Sequence, residues 1–149
     1  MGKVFVRLVV AVFSLVLLGG TAAAAATGPQ GDPVVFHSAR HEHWMPCEGL
    51  AGCTQLPSRT NPVTGGSESM FRLKAGTVFT KHWHTSPEHV VGVSGTMIYH
   101  LDTGRTYRLG AGDFLYYPGK TVHWGQCARG ADCIYYVYDD LPYDFHPVP

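Results

Sequence analysis

From Ser69 to Tyr138 a turn-forming pair interrupts the chain every few residues, leaving no stretch long enough for a packed helix. The interruptions are Ala75-Gly76, Ser86-Pro87, Ser94-Gly95, Asp102-Thr103-Gly104, Gly110-Ala111-Gly112 and Pro118-Gly119. Between them lie short segments rich in β-branched and aromatic residues, which favour a pleated, half-buried surface. The pattern predicts strands at Met70–Lys74, Thr77–His84, His89–Val93, Met97–Leu101, Arg105–Leu109, Phe114–Tyr117, Val122–Cys127 and Ile134–Tyr138. No segment keeps a helical period, and there is no internal repeat. Antiparallel strands of this number close most readily as a double-sheet jelly roll, so the expected class is an all-β barrel.

The first 26 residues read differently. Lys3 and Arg7 give a positive start, Val9 to Leu18 is apolar, and Gly19-Gly20 leads into the small residues Ala22–Ala26. This is the pattern of a secretory signal peptide, and the apolar run is shorter than the roughly 20 residues a membrane span needs. Cleavage is expected after Ala26, with any alanine from Ala23 onward as the alternative. No stable membrane anchor is expected, and the protein is read as exported, periplasmic or secreted.

Removing 26 of the 149 residues leaves 123, enough for one domain with its own core. It also removes Lys3 and Arg7, leaving 9 basic and 11 acidic residues and no basic run, which argues against nucleic acid as a partner. All four cysteines, Cys47, Cys53, Cys127 and Cys133, lie in this part. An even count in an exported chain favours disulfides. Of the three pairings, Cys47–Cys53 with Cys127–Cys133 is favoured because each pair brackets a short glycine-containing loop. Loops that small contribute about 2 kcal/mol each. A four-cysteine zinc site is disfavoured, since C-x5-C is wider than the usual spacing.

Residues 27–66 are expected to form an N-terminal extension. It comprises a turn-rich lead-in, a short strand at Val34–His37, then an irregular disulfide-pinned loop from Ser38 to Gly66 with room for one helical turn. The barrel and its C-terminal tail would occupy residues 67–149.

The chemistry concentrates in His82-Trp83-His84 and Glu88, with His123 downstream. Alternate strand residues share a face, so His82 and His84 project together while Trp83 points away. Glu88 returns from the turn Thr85-Ser86-Pro87, and His123 would close the site from a later strand. Three imidazoles and a carboxylate suit one divalent transition metal: Fe, Mn, Ni, Cu or Zn.

These residues resemble those of the cupin superfamily. Its first motif, G-x5-H-x-H-x3-E-x6-G, is matched at Gly76, His82, His84, Glu88 and Gly95. The second, G-x5-P-x-G-x2-H-x3-N, is matched at Gly112, Pro118 and His123, and departs at Lys120 and Cys127, where the family often has glycine and asparagine. The resemblance covers residues 69–139. It implies a small exported single-domain cupin, of the type-2 conserved-barrel kind, with a metal held by His82, His84, Glu88 and His123.

His89 adjoins Glu88, so a regular strand points only one of them inward. Glu88 is favoured, with His89 as the substitute should a β-bulge re-aim the strand. Trp83 and Trp124, each beside a candidate ligand, should lie on the outer face. Either the Ser38–Gly66 segment or a second subunit of a homodimer would cover them. His37, His41, Glu42 and His43 are read as exposed loop residues, and His100 and His146 receive no role. Tyr135, Tyr136, Tyr143 and Phe145 should pack the last strand and the C-terminal extension, where a tyrosine at the pocket mouth would orient substrate.

The functional expectation is a metal-dependent oxidoreductase of dioxygenase type acting on a small organic molecule. Glu88 would double as proton acceptor. The alternative is a non-catalytic metal or small-ligand binding module. Ser86 and Ser94 lack the flanking sequence of a nucleophile, so serine hydrolysis is not supported.

Overall fold

The computed structural model describes residues 34–149, and the expected signal peptide lies outside them. Eleven strands form two antiparallel sheets. The first sheet runs β1 (Met45–Pro46), β2 (Cys53–Thr60), β3 (Ser67–Leu73), β10 (Cys133–Asp139), β5 (Glu88–Ser94) and β8 (Phe114–Tyr117). The second runs β11 (His146–Pro147), β4 (Val78–Trp83), β9 (His123–Cys127), β6 (Met97–Leu101) and β7 (Thr106–Leu109). The described residues are therefore all-β, and all eight strands expected from the turn spacing are present within a few residues of their expected ends.

The core lies between the sheets. Leu73, Val90, Met97, Tyr99, Leu109, Tyr117 and Val137 are buried there, with the half-cystines Cys53, Cys127 and Cys133. Each such aliphatic side chain contributes about 1.5–3 kcal/mol by leaving water. The favoured disulfides are both formed. Cys47–Cys53 pins β1 beside the start of β2, whereas Cys127–Cys133 joins the end of β9 in one sheet to the start of β10 in the other. The second bridge thus ties the two layers together.

The segment from Ser38 to Gly66 departs from its expected irregularity. It does contain one tight turn, in which the amides of His41 and Glu42 both donate to the Ser38 carbonyl. Cys53–Thr60, however, is a full strand paired along β3. This strand includes Pro57, although proline removes a ladder donor. Here the register shifts between Pro57 and Arg59, and β1 reaches only Thr54 and Gln55, so the missing N–H has no partner to lose. Val34–His37, by contrast, is not a strand. Val34 and Phe36 are 98% and 86% exposed, with no neighbouring strand to pair them.

A register shift in β4 also positions the site. Phe79 sits opposite Gly125 and His82 opposite His123, so β4 carries one extra residue over that span. In a regular strand Phe79 and His82 would face opposite ways. The bulge turns both toward the interior, where Phe79 packs edge-on against His82.

A candidate metal centre at the barrel mouth

His82 and His123 are cross-strand partners on β4 and β9. Their ring centroids lie 4.3 Å apart, and His84, one residue past the end of β4, stands 4.8 Å from His82 and 5.4 Å from His123. One nitrogen from each of the three rings lies within 4.8 Å of the others. An ion with bonds of about 2.1 Å holds its donors at most about 4.2 Å apart, so small side-chain shifts would close the set around one ion. This three-histidine group can hold a metal.

Glu88 reaches the same point from the other sheet. As first residue of β5 it faces inward, with Oε2 3.9 Å from His84 Nε2 and 3.6 Å from His123 Nε2. His89 points outward, among Phe114, Tyr116 and Tyr138, with Nε2 3.4 Å from Asp140. The substitution of His89 for Glu88 is therefore set aside.

Each imidazole presents the correct nitrogen. Nδ1 of His82 lies 2.6 Å from the Thr80 carbonyl, Nδ1 of His123 lies 2.9 Å from the Thr121 carbonyl, and Nδ1 of His84 meets the Asp144 carbonyl. A carbonyl only accepts, so each Nδ1 carries the proton and each Nε2 keeps a free lone pair. This outer hydrogen bond is the arrangement that orients histidine ligands in metalloproteins.

Electrostatics agree with that assignment. Burial is the largest influence on all three rings and pushes each toward the neutral form that ligates. His82 falls to about 4, with its Thr80 bond opposing and His84 reinforcing the shift. His123 falls to about 3, by burial and then by its neighbour His82. His84 also shifts down, again by burial, against the opposing pull of the Asp144 carbonyl. Glu88 moves up to about 8, first because it is buried and then because Asp139 is near.

Glu88 Oε2 and the Tyr117 hydroxyl are buried without a hydrogen-bond partner in the protein. An unsatisfied buried carboxylate oxygen costs about 1–3 kcal/mol or more, and a cation among the three Nε2 atoms would remove that cost. The donor set therefore fits a divalent transition ion.

Several neighbours could not be read from the sequence. Tyr117, at the end of β8, pairs in register with Glu88 and stacks on His123 at 4.5 Å. Asp139, at the end of β10, pairs with Glu88 from the opposite side and is likewise buried. Their only sequence signal is a position at a strand end, and its meaning depends on a register fixed by folding. In the tail, Phe145 stacks on the His82 ring at 4.3 Å and Tyr143 lies 5.2 Å from His84. Tyr135 does pack inside, stacked on Phe71.

The tail also corrects the expected cover for Trp83, which stacks on His146 at 3.9 Å instead of meeting the Ser38–Gly66 segment. Trp124 packs against His100, with Lys81 Nζ over its ring. His37, His41 and His43 are exposed and away from the three-histidine group, as expected.

A family model described as the ChrR cupin-like domain matches residues 33–140. No curated protein matches the sequence. Among solved structures, the chain is similar to the polyketide cyclase RemF from Streptomyces resistomycificus, at 17% identity and TM-score 0.68, covering 78% of this chain and 87% of that one. It is similar to KdgF from Halomonas sp. at 19% identity and TM-score 0.61, covering 72% and 94%. It is also similar to the structure of Rhodobacter sphaeroides SigE in complex with the anti-sigma ChrR, at 22% identity and TM-score 0.58, covering 69% of this chain and 51% of that one. These likenesses share the jelly-roll architecture found here. With a family model spanning most of its described length and both cupin motifs lining one buried site, the chain belongs to the ChrR cupin-like family of the cupin superfamily.

Proposed function

We propose that this protein is an exported metal-dependent cupin that oxidises a small organic molecule by dioxygenase-type chemistry. The observation that carries the reading is the convergence of His82, His84, His123 and an otherwise unsatisfied Glu88 on one buried point. His82, His84 and His123 would hold the ion through Nε2, with Glu88 as fourth ligand, leaving up to two positions of a six-coordinate ion for exogenous groups. Once bound, the ion would supply Lewis acidity and, as iron or manganese, electron exchange with dioxygen.

The chain's own residues supply the remainder. Glu88 is placed to accept and return a proton at Oε2 when it is released from the ion. The Tyr117 hydroxyl offers a buried donor to an oxygen on the substrate. Phe79 and Phe145 place apolar surface against the imidazoles. Export is supported by two disulfides, a feature of oxidising compartments, and predicts a mature N-terminus at Thr27 by mass spectrometry.

A second reading, a non-catalytic binding module, is favoured by one observation: the family is described by ChrR, named in a solved complex as an anti-sigma protein. The test separates the two. Elemental analysis of the purified protein should find about one transition metal per chain. Oxygen uptake with a panel of phenols, thiols and keto acids should depend on that metal and vanish in His84→Ala. Tight ligand binding with no uptake would select the binding module, and absence of metal under all loading conditions would end the metal-dependent reading.

A further inference from the structure

Of the three imidazoles, His84 alone takes its orienting hydrogen bond from a distant part of the chain: its acceptor, the Asp144 carbonyl, lies 60 residues away in the tail. That tail is fastened at several points around the site. Asp144 Oδ1 accepts from the Thr85 amide at 2.7 Å, and Oδ2 lies 3.0 Å from His146 Nε2. The Leu141 amide donates to Ser86 Oγ at 3.0 Å, and the Val148 amide donates to the Lys81 carbonyl at 2.9 Å. Residues 146 and 147 pair with Trp83 and His82 as an added edge strand. Between these fastenings Tyr143 and Phe145 lie over His84 and His82, although both rings remain about half exposed to solvent.

An exposed, largely irregular segment ordinarily has little reason to hold one geometry. Here the hydrogen bonds that join the tail to the barrel land on Lys81–Ser86, the stretch that contains two of the three histidines. We infer that residues 141–148 are a working part of the metal centre, with Asp144 as a positioning residue that fixes the tautomer and aim of His84.

This inference rests on the reading that the histidines hold an ion, and linkage gives it a reciprocal consequence. If order in the tail raises metal affinity, bound metal must raise order in the tail by the same factor. An interaction that orients a metal-ligating histidine commonly changes affinity 10–100-fold. A tail that merely covers apolar surface would show no such reciprocity.

The experiment uses full-length protein and Zn(II) as probe, with affinity from chelator competition and the Co(II) absorption spectrum as a reporter of geometry. Asp144→Ala removes the clamp on Thr85, and Val148→Pro removes the amide that binds Lys81. The double variant should bind Zn(II) about 10–100-fold more weakly, with an altered Co(II) spectrum, while its metal-free unfolding midpoint stays near that of the parent. Asp144→Asn keeps an oxygen acceptor for Thr85 and should recover most of the loss. In the unmodified protein, Zn(II) should slow hydrogen exchange at the Val148 and Thr85 amides by a comparable factor. Equal Zn(II) affinity in parent and double variant, or no change in exchange at those amides on loading, overturns the inference while leaving the metal reading intact. Failure of the unmodified protein to bind Zn(II), Co(II) or Fe(II) overturns the metal reading and, with it, this one.

Discussion

His82 and His123 are oriented by carbonyls two residues upstream, whereas His84 is held from far away. Thr80 and Thr121 stand two residues before the rings they orient, so the local backbone of β4 and of the turn leading into β9 delivers both imidazoles already aimed. His84 lies beyond the end of β4. Its ring is fixed by Asp144, and its carbonyl accepts the Lys120 amide at 2.7 Å. Local backbone therefore aims two of the three imidazoles, while the third depends on two remote segments docking together. The difference locates where the site should be strong and where it should be adjustable.

The largest expected effect tests the locally aimed side. His123→Ala should lower metal affinity by more than about 100-fold, measured by chelator competition, because it removes a ligand where an outer-shell loss costs 10–100-fold. A loss below tenfold would mean that His123 is not a ligand and would dissolve the comparison. Next, the remote hold should act only through His84. In a double-mutant cycle, Asp144→Ala should weaken Zn(II) binding about tenfold or more in the parent and less than about twofold when His84 is already alanine. Equal losses in both backgrounds would show that the tail acts by some other route.

The loop carrying Lys120 offers a stability test of the same region. A Cβ on Gly119 would stand 2.5 Å from the Thr85 carbonyl oxygen, a backbone atom that cannot simply swing aside. Gly119→Ala should cost about 2–3 kcal/mol in urea unfolding, more than a surface glycine replacement.

The metal-free protein should also show a particular pH dependence. Glu88 sits at about 8 when folded, against an ordinary 4.5, because of burial and then Asp139. The fold thus prefers its protonated form, and that contribution disappears as pH climbs through 8. The lowered His82 and His123 act in the opposite sense, but their contribution is already complete above 6.5. Stability should therefore fall by about 1–2 kcal/mol between pH 6.5 and 8, and Glu88→Gln should flatten the decline. Bound metal should remove it as well.

The smallest effect concerns Lys120 itself, which has φ of +65°, the only positive value at a non-glycine among the described residues. Lys120→Gly keeps the amide that holds His84 and relieves the left-handed strain. It should stabilise the protein by about 0.5–1 kcal/mol with metal affinity unchanged, read by thermal unfolding and chelator competition.

The same division runs through the fold. Eight strands were legible because turn formers bracket them and β-branched or aromatic residues fill them. The strand at Cys53–Thr60 was not legible in a segment rich in turn formers, and its Pro57 is tolerated only because no strand pairs with it on that side. The edge strand His146–Pro147 was hidden because two residues carry no period; only the groove beside Trp83 gives it a place. In the site, residue type and spacing marked His82, His84, Glu88 and His123. Tyr117 and Asp139 were invisible because their importance comes from standing opposite Glu88 in the register.

The amino-acid order alone determined the local terms: where strands begin and end, which side chains alternate inward, and which cysteines lie near enough to join. Those depend on neighbours a few positions apart, and local sterics settles them before the chain is compact. Tertiary structure decided that β4 bulges so Phe79 and His82 face the same way, that Glu88 reaches the histidines from the opposite sheet, and that the tail aims His84. Each of these joins residues whose separation in sequence carries no information about their distance in space, so only packing of the two sheets could bring them together.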